Sequence, residues 1–131
     1  MEIRAGSKRT VFLIGPFAIK FATTIRGLNE NFFEFLYCLL NARAFVVPTY
    51  FSLWIMNIQK RVPDCELRPD FILDRLRDVA DDDRWATDHH FSNYDSFGEV
   101  NGWLVIRDYG NLKTQKLIDR HLSQLSRIPA T

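Results

Sequence analysis

The stretch Phe97-Gly98-Glu99-Val100-Asn101-Gly102-Trp103-Leu104-Val105-Ile106-Arg107-Asp108-Tyr109-Gly110 decides how the chain is read. Asn101-Gly102 sits between two short β-prone runs, Phe97–Val100 and Trp103–Ile106. That dipeptide supplies the positive φ angles of a two-residue turn, so a β-hairpin is expected. The second strand carries Asp108 to its end, with Gly110 two places on. An acidic residue leaving an apolar strand, followed by a glycine that lets the backbone turn sharply, can hold a metal ion beside a cleft. The same residues also suit a strand that stops at a polar turn, and the rest of the chain decides between the two.

Downstream of the hairpin, Thr114 to about Ser126 carries Leu117, Ile118, Leu122 and Leu125 at helical spacing and predicts an amphipathic helix. Upstream, Pro69 suits the first position of a helix reaching about Ala80, with Ile72, Leu73, Leu76, Val79 and Ala80 on one face. Asp81-Asp82-Asp83 falls beyond the negative end of that helix and reads as a solvated acidic turn, since consecutive carboxylates rarely point at one ion. A metal site is equally disfavoured at His89-His90. Residues 63–69, proline at both ends, form a linker and the best internal boundary.

Earlier in the chain, Val46–Ser52 and Leu53–Val62 read as two strands, with Pro48 near the start or at an edge. A helix is expected from about Asn29 or Asn31 to Arg43, with Asn31 and Glu34 resembling a capping box. Its phenylalanines and leucines surround most of the circumference, which predicts deep burial. Glu34 is then the odd residue: a carboxylate amid apolar surface requires a cation, and Lys20 is the nearest candidate in sequence. Thr10–Ile14 and Phe17–Ala22 flank Gly15-Pro16 as a strand–turn–strand, after an Arg4–Arg9 opening that is a loop or a strand start. Strand alternation puts Phe17, Ile19 and Phe21 on one face, suited to a core, and Ala18, Lys20 and Ala22 on the other. That second face is either a floor for a flat ligand or a solvent-facing edge. Strands, helix, strands, helix, hairpin, helix is the order of an α+β fold with an antiparallel sheet.

Composition narrows the function classes. The chain has 131 residues with 17 Lys and Arg against 16 Asp and Glu, so a polyanion such as nucleic acid is not expected as main partner. One domain of this length can bury a proper core. Cys38 and Cys65 lie far apart, which fits a reducing compartment, with Cys38 buried on its helix. The start Met1-Glu2-Ile3-Arg4 lacks a secretory profile, and no apolar run approaches the ~20 residues of a membrane span. A soluble cytoplasmic protein is expected. Trp54, Trp85, Trp103 and Tyr109 are candidate aromatic anchors for a protein partner, although Trp54 reads better as core.

Three of these features together resemble the protein kinase superfamily. Phe17-Ala18-Ile19-Lys20 resembles the Val-Ala-Ile-Lys strand, Glu34 stands on the next helix, and Asp108-Tyr109-Gly110 resembles the Asp-Phe-Gly element. The resemblance covers Val11 to Gly110 loosely. It implies a sheet-rich N-lobe-like part over 1–62 and a reduced C-lobe-like part over 63–131. It also implies an ATP cleft in which Ala18 meets the base, Lys20 the phosphates, Glu34 orients Lys20, and Asp108 takes magnesium. Asp88 and Asn93 meet the catalytic-loop Asp-x-x-x-x-Asn spacing, making Asp88 the general base and Asn93 a second metal ligand. A different alignment puts Ser96 in the asparagine position and leaves no base. Only Gly6 and Gly15 precede Lys20, without the Gly-x-Gly spacing of a phosphate cover, and neither His-Arg-Asp nor Ala-Pro-Glu is present.

Two function classes and a coincidence follow. The first is a pseudokinase-type binding module that keeps the fold, can hold ATP, and acts by engaging or blocking a protein partner. The second is a minimal Mg-ATP-dependent phosphotransferase using Lys20, Glu34, Asp88, Asn93 and Asp108. The third is an unrelated α+β adaptor in which Lys20 and Asp108 lie far apart.

Overall fold

The computed structural model describes residues 1–41 and 45–130. Five antiparallel strands form the main sheet: β1 (Glu2–Ala5), β2 (Arg9–Ile14), β3 (Phe17–Ala22), β4 (Thr49–Ser52) and β5 (Met56–Lys60), in the order β1-β2-β3-β5-β4. The Arg4–Arg9 opening therefore resolves into the end of β1, a turn closed by Gly6 N–H to Arg9 O at 2.9 Å, and the first residue of β2. Gly15 takes φ +53° in the β2–β3 turn, a left-handed conformation that suits glycine. The register sets Lys20 opposite Val11 on one side and Asn57 on the other. Leu53–Ile55, expected in a strand, instead form the β4–β5 turn, where Trp54 itself has φ +62°.

Helix α1 (Ile25–Leu40) follows β3 and packs on β3, β4 and β5. It begins earlier than the spacing predicts: Thr24 is the N-cap, its Oγ1 accepting the Gly27 N–H at 3.0 Å, so Asn31 and Glu34 are interior residues and not a capping box. The helix is closed at Asn41; the expected end at Arg43 lies outside the described residues. Its orientation overturns the expected deep apolar burial. The inward stripe is Gly27, Glu30, Asn31, Glu34 and Tyr37, spaced at 3.6-residue periodicity, while Leu39 and Leu40 are exposed. Polar side chains face the sheet because the sheet face opposite them is itself cationic.

The same inversion holds on β3. Ala18 and Lys20 are buried, Phe17 and Phe21 partly exposed, so neither the phenylalanine core face nor the solvent-facing lysine edge survives. The phenylalanines settle on the outer face in edge contacts, Phe21 with Phe12 and Phe17 with Tyr50.

The second half contains α2 (Pro69–Val79), α3 (Arg84–Thr87), a 3-10 turn at Tyr94–Ser96, the hairpin β6 (Phe97–Val100) and β7 (Trp103–Ile106), α4 (Leu112–Arg120) and α5 (Leu122–Leu125). Pro69 opens α2 and Ala80 caps it, as the spacing predicts. The hairpin turns at Asn101 (φ +53°) and Gly102 (φ +83°). The last predicted helix is instead two, broken at His121, whose Nε2 contacts Asp82 Oδ2 at 2.6 Å. Asp82 also binds Arg84, so this one carboxylate of the acidic turn is engaged.

A core built on Ile72, Leu76, Trp85, Phe91, Phe97 and Ile118 fills this half. Trp85 is fully buried because its indole N–H finds the Ala80 carbonyl at 2.7 Å. Tyr109 is also fully buried, so neither serves as a surface anchor, whereas Trp54 is 61% exposed and not core. Phe45, Val46 and Val47, just before β4, join the hairpin: Ile106 N–H reaches Phe45 O at 2.7 Å and Val47 N–H reaches Ile106 O at 3.0 Å. Cys38 is only partly buried, accepting the Thr49 N–H on its Sγ at 3.3 Å, and both cysteines are free thiols. No helix among the described residues is long and apolar enough to cross a membrane.

Candidate functional site

Lys20 reaches the site from β3, Glu34 from the third turn of α1, and Asp108 from the residues leaving β7. Lys20 Nζ lies 2.9 Å from Glu34 Oε1 and 3.0 Å from Asp108 Oδ1, and donates to the Arg107 carbonyl at 2.6 Å. Two carboxylates, 14 and 88 positions away, thus close on one ammonium group. Lys20 and Asp108 are therefore in contact, not far apart as the coincidence reading expects.

Arg9 completes the network, and the sequence reading missed it. Its Nη1 donates to Asn31 Oδ1 (3.0 Å) and Glu34 Oε1 (3.2 Å), its Nη2 to Glu34 Oε2 (3.2 Å) and Asp108 Oδ1 (2.9 Å). The fork geometry of guanidinium suits this bidentate grip on Glu34. Alternation carried the signal: Arg9, Val11 and Leu13 share the β2 face that looks into the cleft. Asn31 Nδ2 in turn donates to Lys20 O and Trp54 O, and Asn57 Nδ2 to Asn31 O, which locks α1 to β3 and β5.

Side-chain exposure is 3% for Lys20, 0% for Glu34 and 29% for Asp108, so Asp108 is the network's carboxylate that reaches solvent. Burial alone raises Glu34, but Arg9 and Lys20 outweigh it and hold the carboxyl below the usual range. Asp108 follows the same logic: burial raises it, Lys20 and Arg9 lower it further. Burial likewise opposes ionisation of Glu30, yet His90, Arg9 and Lys8 draw it down to about 2.

Above this network lies a cleft of about 200 Å³. Ala18, Lys20, Asp108 and Asn93 line it, together with His90 and the β1–β2 turn Gly6-Ser7-Lys8, which overhangs it. Four of the six expected site residues therefore share one cavity wall. Glu34 sits behind that wall, reaching it only through Lys20 and Arg9.

Asp88 does not line the cleft. Its Oδ1 accepts the N–H groups of His90 (3.0 Å) and Phe91 (3.1 Å) and the Thr114 hydroxyl (3.0 Å), so the carboxylate tethers the 88–91 turn to α4. Asn93 Oδ1 accepts the Asp95 N–H at 3.1 Å. Tyr109 anchors the segment after Asp108: its N–H reaches Glu34 Oε2 at 3.1 Å and its hydroxyl donates to Val47 O at 2.6 Å. Gly110 is needed for a different reason than a sharp turn. Its φ is not positive, and a Cβ there would run into the Glu30 carbonyl oxygen of α1. Small size, not conformational freedom, lets the strand end meet the helix.

Asp108 Oδ1 already holds two cationic donors, Arg9 Nη2 and Lys20 Nζ. No group of three or more His, Cys, Asp and Glu among the described residues is placed to hold a metal ion. What the cleft can do chemically is receive anions over a buried, charge-balanced floor. Compared with family models and with curated proteins, the chain matches none.

Proposed function

We propose that this protein is a kinase-like, pseudokinase-type binding module: its cleft accepts a nucleotide, and it acts by engaging a protein partner. The observation that carries the reading is the meeting of Lys20, Glu34 and Asp108 in one network at the floor of one cleft. A strand lysine held by a helix glutamate beside an aspartate that ends a hairpin is the arrangement on which kinase-type phosphate binding depends. Binding is favoured over transfer because Asp88, the proposed base, is spent on Thr114 and two backbone N–H groups outside the cleft. The partner would meet Trp54, exposed on the β4–β5 turn and braced by Phe32 at 5.8 Å between ring centroids. Free thiols at Cys38 and Cys65 suit the cytoplasm, the compartment we assign.

The second reading, a minimal Mg-ATP-dependent phosphotransferase, is favoured by one observation: Asn93 and Asp108 line the same cleft. A single pair of measurements separates them. The binding module gives a thermal shift with ATP that Lys20→Ala removes, and no ADP release. Sustained ADP release that Lys20→Ala and Asp108→Asn each abolish would overturn it in favour of the transferase. Absence of any nucleotide effect would remove the nucleotide part of the proposal.

A further inference from the structure

We infer that the outer face of the five-stranded sheet is the contact surface of a symmetric dimer, in which two copies of this chain pack sheet on sheet. The inference goes beyond the nucleotide reading and does not depend on it. It starts from the register. Ile3 faces Phe12, Phe12 faces Ile19, Ile19 faces Ile58 and Ile58 faces Phe51, so one apolar row crosses all five strands. The rows beside it continue the pattern, Ile14 with Phe17 and Phe21 with Met56. Ring contacts join the rows, Phe12 with Phe21 at 5.4 Å between centroids and Phe17 with Tyr50 at 6.4 Å. Strand alternation sends this set away from the cleft, whose wall carries Arg9, Ala18 and Lys20.

No element among the described residues closes over that face. Ile3, Ile14, Phe17, Tyr50 and Phe51 are between 42% and 55% exposed. With Phe21 they leave roughly 600 Å² of apolar surface open. The partly buried Phe12, Ile19, Met56 and Ile58 bring the face near the ~800 Å² that each partner contributes to a standard interface. The largest apolar patch of a typical monomer is about 300–600 Å². This face exceeds what a lone chain ordinarily leaves in water, and it matches one side of a stable dimer.

A second copy is the occupant because the face matches itself. Lys60, opposite Phe17 in an outer row, is the one charged strand residue on it. The face therefore offers a charged partner no counter-ion and an anionic bilayer no basic rim. What it can pack against is an apolar sheet of equal twist, since such sheets stack about 10 Å apart with strands about 30° off parallel. The same face of another molecule is that surface. A two-fold axis near Ile19, in the middle of the five-residue row, lays row over row and closes the assembly at two copies, with Lys60 reaching water from the rim. The phenylalanines of β3 then gain the core that one chain does not give them. The two clefts open away from each other, and Trp54, leaning on Phe32 of α1, stays free for a different partner.

The test is sedimentation equilibrium of the full chain without nucleotide, from about 1 to 100 μM. The expected result is twice the chain mass at the upper end, with a Kd below about 10 μM. Phe17→Lys and Phe51→Lys each change a half-open side chain and are checked for wild-type circular dichroism. Each should raise that Kd at least about 30-fold, the size of a hot-spot loss, whereas Trp54→Ala should not move it. If the lysine variants do not fold, hydroxyl-radical footprinting of the wild type decides. Phe17, Tyr50 and Phe51 should lose labelling as the protein is concentrated, while the exposed Leu39 and Leu40 of α1 keep theirs. Unchanged labelling of the sheet face overturns the inference. So does a single-chain mass throughout, or a dimer that both folded lysine variants keep. Binding of the wild-type chain to phosphatidylcholine vesicles through Phe17 and Phe51 would give the face to lipid and overturn it as well. Each of these results leaves the nucleotide reading intact.

Discussion

Replacing Glu34 by glutamine removes one negative charge from a site that is otherwise balanced: Arg9 and Lys20 against Glu34 and Asp108. Glutamine keeps the volume and can still accept a hydrogen bond, so the variant isolates charge from packing. Arg9 and Lys20 then share Asp108, whose side chain is 29% exposed and partly screened by water, with Glu30 Oε2 standing 3.7 Å from Arg9 Nε. Lysine can respond by losing its proton, but arginine cannot. Breaking a buried ion pair from one side costs about 3–5 kcal/mol, a large part of the roughly 5–15 kcal/mol that holds a domain together. With an unfolding entropy of about 2.1 cal/mol/K per residue, each kcal/mol moves the melting temperature of a chain this long by ~3–4 °C. Glu34→Gln should therefore melt about 10–18 °C lower, read by circular dichroism. Arg9→Met on that background should recover part of the loss, because the unpaired cation disappears. A Glu34→Gln protein melting within about 3 °C of wild type would refute the premise that α1 is held to the sheet by charge.

Acid should find the same network. Glu30, Glu34 and Asp108 all ionise more readily in the folded protein than in the unfolded chain, so their contribution is complete above the ordinary carboxylate value and lost as pH falls through the folded one. Urea midpoints should decline between pH 4.5 and about 2, the window set by Glu30, and Glu30→Gln should flatten that decline. Gly110→Ala drives a methyl group into the Glu30 carbonyl and should cost about 1–3 kcal/mol by chemical denaturation; an unchanged midpoint would mean that α1 and the Tyr109 segment can part freely. Asp88→Ala should leave nucleotide affinity unchanged in calorimetry, since the residue is outside the cleft, while destabilising the fold by about 1–3 kcal/mol through loss of its bonds to Thr114 and the turn. Loss of affinity without loss of stability would return Asp88 to the site.

The Asn101-Gly102 hairpin, the Gly15-Pro16 turn, the Pro69 helix start and the α+β class were legible in the residues, because each depends on local backbone preference. The pairing of Lys20 with Glu34 was legible too, from the cost of leaving a carboxylate alone among apolar side chains. Burial on α1 and β3 was read backwards. Hydrophobicity assigns the inside to Phe17, Phe21, Leu39 and Leu40, yet the inside belongs to Glu30, Asn31, Glu34 and Lys20. A polar interior is stable only when every charge meets its opposite, and those partners come from β2, α1 and the end of β7.

Local sequence by itself determined the Asn101-Gly102 and Gly15-Pro16 turns and the helix start at Pro69, because those choices are settled within a few residues. Which faces turn inward, why Gly110 must be small, and that Arg9 joins Asp108 across 99 positions were decided only by the tertiary structure. Long-range ion pairing is a property of positions in space, and side chains distant in sequence carry no mark of it until the sheet and helix close.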